Sequence, residues 1–146
     1  MSKDIQAQIS RYCTYLHEWN ASYEEYAKSV GLSYTGLTIL GELYETENCT
    51  QKELAESCFL PKQTVNAIIT SFLKNSWVKL EELPEDRRTK TVNLTEEGKA
   101  KANEILSKVR ESERKAMGKL TEEQQEMLIT LTHTYIGSCI EAMKNG

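Results

Sequence analysis

Hydrophobic residues in the first thirty positions recur at alternating spacings of four and three. They are Ile5, Ile9, Tyr12, Leu16, Trp19, Tyr23, Tyr26 and Val30. This spacing predicts a single helix with a heptad seam. The seam runs for nearly four heptads, which favours packing against a second chain; a long amphipathic helix in a monomer is the alternative. Gly31 can end the helix, because glycine adopts a left-handed conformation without strain.

Two short helices are predicted in the middle of the chain. Thr50 and Glu53 have the spacing of a capping box at the start of the first. Pro61 suits the first turn of the second, where its missing N–H is not needed. The apolar stripe of the second helix consists of Val65, Ile68, Ile69, Phe72 and Leu73. Its other face carries Lys62, Gln63, Asn66, Ala67, Thr70, Ser71 and Lys74. This arrangement is typical of a helix-turn-helix.

Beyond these helices the hydrophobic pattern changes to strict alternation. One short run contains Val78 and Leu80, and another contains Val92 and Leu94. Residues 83–88 between them are charged and turn-forming. The pattern predicts a β-hairpin in which residues 83–88 form a loop that projects into solvent, the wing.

Capping signals also mark the remaining helices. Ser33 and Thr95 can each cap a helix, and Thr121 with Gln124 forms a second capping box. The predicted buried side of the last helix consists of Met127, Leu128, Leu131, Tyr135, Ile140 and Met143. The expected fold is therefore mainly α: a winged helix-turn-helix with a small β-hairpin wing, flanked by N- and C-terminal helices.

The order of these motifs resembles the MarR family of winged helix-turn-helix transcriptional regulators. Residues 60–65 read Leu-Pro-Lys-Gln-Thr-Val, which is similar to the start of the family's recognition helix. Residues 86–88 read Asp-Arg-Arg and residues 94–98 read Leu-Thr-Glu-Glu-Gly, which resemble its Asp-x-Arg and Leu-Thr-x-x-Gly wing signature. Residues 32–36 and 120–124 resemble the starts of its second and last helices, so the resemblance covers essentially the whole chain.

The resemblance implies one domain over residues 1–146. Residues 1–31 and 100–146 would be dimerisation helices, and residues 32–99 the winged helix-turn-helix region. It further implies a homodimer that binds a pseudo-palindromic duplex site, as a repressor or, less often, an activator. A small phenolic ligand or cysteine oxidation would release the DNA.

The charge distribution limits how the protein could bind DNA. The chain has 22 acidic and 18 basic residues, for a net charge of −4, which excludes coating of nucleic acid by bulk charge. Residues 58–93 nevertheless carry six basic and four acidic residues. The proposed reading region is locally positive, as contacts to phosphates require.

Candidate DNA contacts fall into three groups. The recognition helix offers Lys62, Gln63, Thr64, Asn66, Thr70 and Lys74 to the major groove. The preceding capped helix offers Thr50 and Gln51 to phosphates. The wing offers Arg87, Arg88 and Lys90, and Asp86 would support it by restraining Arg88. By resemblance, Arg88 enters the minor groove. A solvated helix face and a surface salt bridge are the alternatives without function.

Three positions depart from the family's pattern. Ala67 stands where many members have arginine, and Phe59 occupies a turn position that is often glycine. Ser76 stands where glycine usually ends the recognition helix, and Asn75 is expected to take part of that role. We expect an altered sequence preference and the same fold.

The signal that the protein would sense has two candidates. Cys13, Cys49, Cys58 and Cys139 lack a Cys-x-x-Cys pair, which favours free thiols. Cys13 is the redox candidate by resemblance, with an ordinary buried cysteine as the alternative. The second candidate is a small aromatic effector in a pocket lined by Tyr15, His17, Trp19, Tyr23, Tyr34 and Trp77, although core packing explains Trp19 and Tyr23 equally well.

Other functional classes have little support in the sequence. It contains none of the common catalytic or nucleotide-binding motifs, clustered metal ligands, or an apolar run long enough to span a bilayer. We therefore expect a cytoplasmic, non-enzymatic protein without metal, cofactor or membrane contact, whose partners are double-stranded DNA and a second copy of itself. The alternative is a winged-helix protein-interaction module that no longer binds DNA.

Overall fold

Six helices and three short strands account for most of the chain in a computed structural model that describes residues 4–146. The elements are α1 (Ile5–Ser29), α2 (Tyr34–Glu45), β1 (Cys49–Thr50), α3 (Gln51–Cys58), α4 (Lys62–Lys74), β2 (Val78–Leu83), β3 (Asp86–Leu94), α5 (Glu96–Met117) and α6 (Glu122–Asn145). The strands form an antiparallel sheet in the order β1-β3-β2. The predicted mainly α winged helix-turn-helix is confirmed, and β1 is an addition to it.

The chain divides into two compact units, with the boundary between Ile105 and Leu106. The core of the first unit is built by α2, α3, α4, the sheet and the start of α5. Its most deeply buried large side chains are Ile39, Leu40, Leu54, Val65, Ile69, Phe72 and Val92. Burial of these side chains drives the packing of the helix-turn-helix against the sheet. None of the helices within residues 4–146 is long and apolar enough to cross a membrane.

The capping residues hold the helix ends as their spacing predicts. Gly36 donates its N–H to Ser33 Oγ at 3.0 Å. Both capping boxes form, at Thr50 with Glu53 and at Thr121 with Gln124. Gly31 ends α1 with a φ of 80°, in the left-handed region. Local sequence therefore sets most helix boundaries in this chain.

A hydrogen bond joins α1 to the middle of α5 within the first unit. The hydroxyl of Tyr26 donates to the backbone oxygen of Ile105 at 2.6 Å, and the neighbouring Ala27 is fully buried. Burial, followed by the charge of Glu104, raises the pKa of Tyr26 above its ordinary value. The hydroxyl therefore stays protonated and remains a donor at neutral pH.

Two details of the helix-turn-helix differ from the prediction. Pro61 precedes α4 at the N-cap position and does not lie within its first turn. Leu73 is 38% exposed, although it was placed on the buried side of α4. At 100° per residue it lies about 80° around the helix from Val65, at the edge of a stripe centred on Val65, Ile69 and Phe72.

The expected burial along α6 is wrong for the single chain. All six residues assigned to its buried side are exposed, from 41% for Tyr135 to 71% for Met143, and α6 has no buried residue. Two helical segments, the end of α5 and α6, make up the second unit. A pair of helices cannot enclose large side chains without a further layer.

The wing is also tighter than the predicted loop. Only Pro84 and Glu85 lie between the strands, so Asp86, Arg87 and Arg88 belong to β3. Leu83 pairs with Asp86, while the residue before it, Glu82, pairs with Lys90. The register break leaves residues 87–89 outside the ladder. The two arginines therefore project from a bulged strand end, and not from a long loop.

The base of the wing is fixed by close packing of backbone on backbone. Thr95 donates its N–H to the Trp77 oxygen at 2.9 Å and its hydroxyl to the Ser76 oxygen at 2.6 Å. The same hydroxyl oxygen caps α5 by accepting from Gly98 N. A Cβ at Gly98 would overlap the carbonyl oxygen of Trp77 and lie 2.8 Å from its carbonyl carbon. Glycine is therefore required where α5 starts.

The replacement Gly98→Ala should destabilise the protein by about 2–3 kcal/mol, because a methyl group there forces the wing base and α5 apart. Thermal or urea unfolding measures the loss. Gly31→Asn is the matched control: it has open space around it, and asparagine tolerates positive φ. Its loss should stay below about 1 kcal/mol. Equal stability of Gly98→Ala and the wild type would contradict the packing described here.

Candidate nucleic-acid interface

The first turns of α3 and α4 enclose an open hollow on the surface. It is lined by Gln51, Lys52, Lys62, Gln63 and Asn66. The amide of Asn66 donates to Gln51 Oε1 at 3.3 Å, so the two helix starts are tied together by side chains. Two cations and three amides around one concave surface can bind an anionic partner that also carries hydrogen-bonding groups.

The outward face of α4 is polar along its whole length. Lys62, Gln63, Asn66, Thr70 and Lys74 are all exposed, and Thr64 is half-buried. The Thr70 hydroxyl donates to the Asn66 oxygen at 2.8 Å, so it is already engaged. Lys62, Gln63 and Asn66 are the members of this predicted set that line the hollow together.

The two predicted phosphate contacts of α3 differ in their availability. Thr50 is half-buried and its hydroxyl oxygen accepts from Glu53 N at 3.1 Å, which commits it to the helix cap. Gln51 reaches the hollow. Lys52, which sequence reasoning missed, also lines the hollow; its place in the first turn of a capped helix, one residue after Gln51, was the available signal.

The wing tip is organised around the carboxylate of Asp86. Its Oδ1 accepts from Arg88 N at 3.0 Å and its Oδ2 from Thr89 Oγ1 at 3.0 Å. The Arg88 guanidinium lies 3.5 Å from Oδ1, with 95% of the side chain exposed. The backbone N–H of Arg88, then the Thr89 hydroxyl, lower the pKa of Asp86 below its ordinary value. Asp86 thus fixes the backbone that carries Arg88 and leaves the guanidinium accessible.

A cluster of amides connects the wing to the segment before α3. Asn93 accepts from Asn48 N at 2.8 Å through Oδ1. Its amide nitrogen donates to Asn48 Oδ1 at 3.0 Å and to Glu81 Oε1 at 3.2 Å. Asn48 has a φ of 56°. This cluster holds the wing strands against the start of the helix-turn-helix, and the sequence pattern did not reveal it.

Two turn residues occupy the left-handed region that normally favours glycine. Phe59 ends α3 with a φ of 55° and is 93% exposed. Ser76 follows α4 with a φ of 63°. Asn75, with a φ of −84°, stays right-handed, so the expectation that it shares the glycine role is wrong. A left-handed residue other than glycine, asparagine or aspartate costs about 1–2 kcal/mol.

The six candidate effector residues do not form one cluster. The rings of Trp19 and Tyr23 lie 5.6 Å apart, and those of Tyr23 and Tyr34 lie 5.9 Å apart. Trp77 instead packs on Phe72, at 5.3 Å between ring centroids. Tyr15 and His17 are exposed on α1. A site at the α1–α2 junction would therefore use Trp19, Tyr23 and Tyr34.

All four cysteines are free thiols in different environments. Cys49 is buried, Cys13 and Cys58 are half-buried, and Cys139 is exposed. Burial is the largest cause that raises the pKa of Cys49, to about 11, and it also raises that of Cys58. Within residues 4–146, no group of three or more His, Cys, Asp or Glu side chains is placed to hold a metal ion.

Protonation of Asp86 should loosen the wing tip. Because its pKa is lowered in the folded protein, the stabilisation is present above the ordinary value of 3.8 and is lost as the pH falls through the folded pKa. An NMR titration of the Arg88 and Thr89 amides should follow this loss in the wild type. Asp86→Asn should abolish it, whereas Glu85→Gln should not. A carboxyl titration of Asp86 at or above 3.8 would contradict the assignment.

Alkylation should discriminate among the thiols. With its pKa raised to about 11, Cys49 should react with iodoacetamide at pH 8 at least ~100-fold more slowly than in the urea-unfolded chain, because only the thiolate reacts. Peptide mass spectrometry over time gives the rates, with Cys139 as the internal exposed control. Comparable rates for Cys49 in the folded and unfolded protein would show that it is accessible and ionised.

Comparisons with known proteins show which proteins this chain is similar to. A family model described as MarR family matches residues 30–89, which contain α2, α3, α4 and the wing tip. The HTH-type transcriptional regulator SarZ of Staphylococcus epidermidis is 32% identical over 90 residues, covering 62% of this chain and 60% of SarZ. The chain thus matches about 60% of the length of that curated relative.

Solved structures extend the similarity in fold to nearly the whole chain. A MarR family regulator from Neisseria meningitidis has a TM-score of 0.79 at 22% identity, covering 94% of this chain and 97% of that one. A complex of Staphylococcus aureus MepR with DNA has a TM-score of 0.75 at 19% identity, covering 87% and 97%. The relatives are regulators and not enzymes, as the sequence predicts. With the family model on residues 30–89 and a similar fold around it, this chain resembles regulators of the MarR family.

Proposed function

We propose that the protein is a sequence-specific DNA-binding transcriptional regulator that acts as a homodimer. In this proposal α4 enters the major groove and Arg88 of the wing enters the minor groove. The observation that carries it is the exposed hollow at the starts of α3 and α4, which two lysines and three amide side chains line. The S. aureus MepR structure, which has a similar fold and contains DNA, supports DNA as the partner here.

The side chains on the first turn of α4 suit the edges of bases. Gln63 and Asn66 can each donate to and accept from adenine in bidentate fashion, and Lys62 can donate to guanine. Asn66 would exchange its 3.3 Å bond with Gln51 for a contact with a base. The first turn of a recognition helix is the part that reaches farthest into the groove.

Cations around this helix are placed for contacts with phosphates. Lys52 borders the hollow, and Lys74 is exposed at the end of α4. On the wing, Lys79 Nζ lies 3.8 Å from Glu81 Oε1, and Lys90 pairs with Glu82 across the two strands. The nearby carboxylates reduce the attraction of the wing lysines for phosphates. We therefore expect modest non-specific affinity for DNA and more dependence on base contacts.

Arg88 has the geometry for insertion into a narrow minor groove. Its guanidinium is exposed, yet its backbone is held by Asp86. A side chain that starts from an ordered backbone loses less entropy on binding. The strong negative potential of narrow A·T-rich grooves attracts arginine at such positions.

Exposed apolar surface on the outer helices supports a dimer. Along the α1 seam only half-buried and exposed positions occur, with Ile5 and Trp19 more than half exposed. The exposed apolar residues of α6 are Met127, Leu128, Ile129, Leu131, Tyr135, Ile136, Ile140 and Met143. Apolar faces of this size mark surfaces of association. A two-fold dimer would match a pseudo-palindromic operator with half-sites about one helical turn apart.

Regulation in this proposal is repression in the cytoplasm, relieved by a small aromatic ligand. The ring cluster of Trp19, Tyr23 and Tyr34 supplies an aromatic wall. Such a ligand relieves repression only if it binds the DNA-incompetent dimer more tightly. Oxidation of the half-buried Cys13 is the second candidate signal.

Selection from random duplex DNA, followed by anisotropy titrations at several salt concentrations, tests the proposal. The wild type should enrich an inverted repeat and bind it as a dimer, with affinity that falls as salt rises. Arg88→Ala should lose at least about tenfold in affinity, because it removes the minor-groove contact, while its melting temperature stays unchanged.

Arg114→Ala is the matched control, since it removes the same exposed charge from the last turn of α5 and should leave binding intact. Wild-type affinity in Arg88→Ala at equal salt would contradict the assignment of Arg88 as a minor-groove contact. Failure of the folded dimer to enrich any duplex, in both reduced and oxidised protein, would favour the protein-interaction module.

A further inference from the structure

Among residues 4–146, Phe59 is the most exposed large apolar side chain. It lies at the turn between α3 and α4, with 93% of its surface in solvent and a φ of 55°. Glycine at this position would relieve the backbone strain and remove the exposed ring. Both the backbone strain and the exposed apolar surface therefore disfavour phenylalanine at this position.

The turn holds Phe59 in a fixed relation to the recognition helix. Leu60 donates its N–H to the Ala55 oxygen at 3.0 Å, and Phe59 donates to the Glu56 oxygen at 3.4 Å. Pro61 then fixes an extended backbone with a φ of −62° and a ψ of 146°. Only Leu60 and Pro61 separate the ring from Lys62, which lines the hollow.

The surroundings of Phe59 indicate the class of partner. Between Tyr34 and Leu73 it is the only exposed large apolar side chain among the residues described. Protein interfaces need a contiguous apolar core, which a single exposed ring in this stretch of the chain does not supply. An aromatic ring three residues before Lys62 of the hollow suits a polyanion that carries small apolar groups, as duplex DNA does with its deoxyribose carbons and thymine methyls.

We propose that Phe59 is a DNA-contact residue, whose ring packs against deoxyribose or a thymine methyl beside the major-groove entry of α4. This inference rests on the proposed function and adds a specificity contact to it. Strain at the turn is retained because the ring is useful only in the complex, which is a common reason for unfavourable backbone conformations at functional sites.

Variants that suit positive φ separate stability from binding. Phe59→Gly should melt at a higher temperature than the wild type, because strain is relieved, yet bind the selected operator about tenfold more weakly. Phe59→Asn should show the same loss of affinity. Phe59→Tyr, which keeps the ring, should bind within about twofold of the wild type.

Ser76→Gly is the matched control for backbone relaxation. It replaces the other exposed turn residue with positive φ, at 63°, without removing a ring. It should gain stability and keep wild-type affinity. Equal losses of affinity in Ser76→Gly and Phe59→Gly would show that turn flexibility matters and not the ring, and would overturn the inference.

Uracil in place of thymine at single operator positions separates the two apolar groups. Loss of about fourfold at one position in the wild type, absent in Phe59→Gly, would identify a thymine methyl. If Phe59→Gly binds the operator more weakly than the wild type but uracil lowers the wild-type affinity at no single position, the contact is with deoxyribose. Wild-type affinity in Phe59→Gly overturns this inference alone, whereas a wild type that binds no duplex overturns the proposed function with it.

Discussion

The close approach of Gly98 to the carbonyl of Trp77 sets the geometry on which the proposed DNA-binding surface depends. Thr95 adds two hydrogen bonds at the same point, to the oxygens of Trp77 and Ser76. These contacts tie the end of the recognition helix, the base of the wing and the start of α5 to one another. Backbone atoms make two of these contacts and the Thr95 hydroxyl makes the third, so the wing base and the end of α4 are held in a fixed relation.

The groups that support the proposed DNA binding are concentrated locally and are not visible in the average composition of the chain. The net charge of −4 describes a protein that should avoid DNA, yet the hollow at α3 and α4 presents two lysines and three amides together. At the wing, the Asp86 carboxylate accepts hydrogen bonds from the backbone N–H of Arg88 and from the hydroxyl of Thr89. An acidic residue thereby supports a cationic contact rather than cancelling it.

Local rules made most of the fold predictable from sequence. Caps such as Ser33 and Thr50, and the stripe of Val65, Ile69 and Phe72, act within a few residues and are confirmed. The amide cluster of Asn48 and Asn93 was missed because it joins positions 45 residues apart, and a two-residue strand has no readable period. Burial on α6 was misjudged because an apolar stripe predicts that a face will be covered, and not by which chain.

The hydrogen bond between Tyr26 and Ile105 holds α5 at a point well after its first residue. The Tyr26 hydroxyl bonds to α5 at Ile105, nine residues after Glu96, the first residue of the helix. This separation is about 14 Å along the helix axis. A tilt of α5 by about 10° around that point moves its start by roughly 2 Å over this length. Because Thr95 bonds the start of α5 to the wing base, a tilt of this size would displace the wing base by a distance comparable to the tolerance of a hydrogen bond.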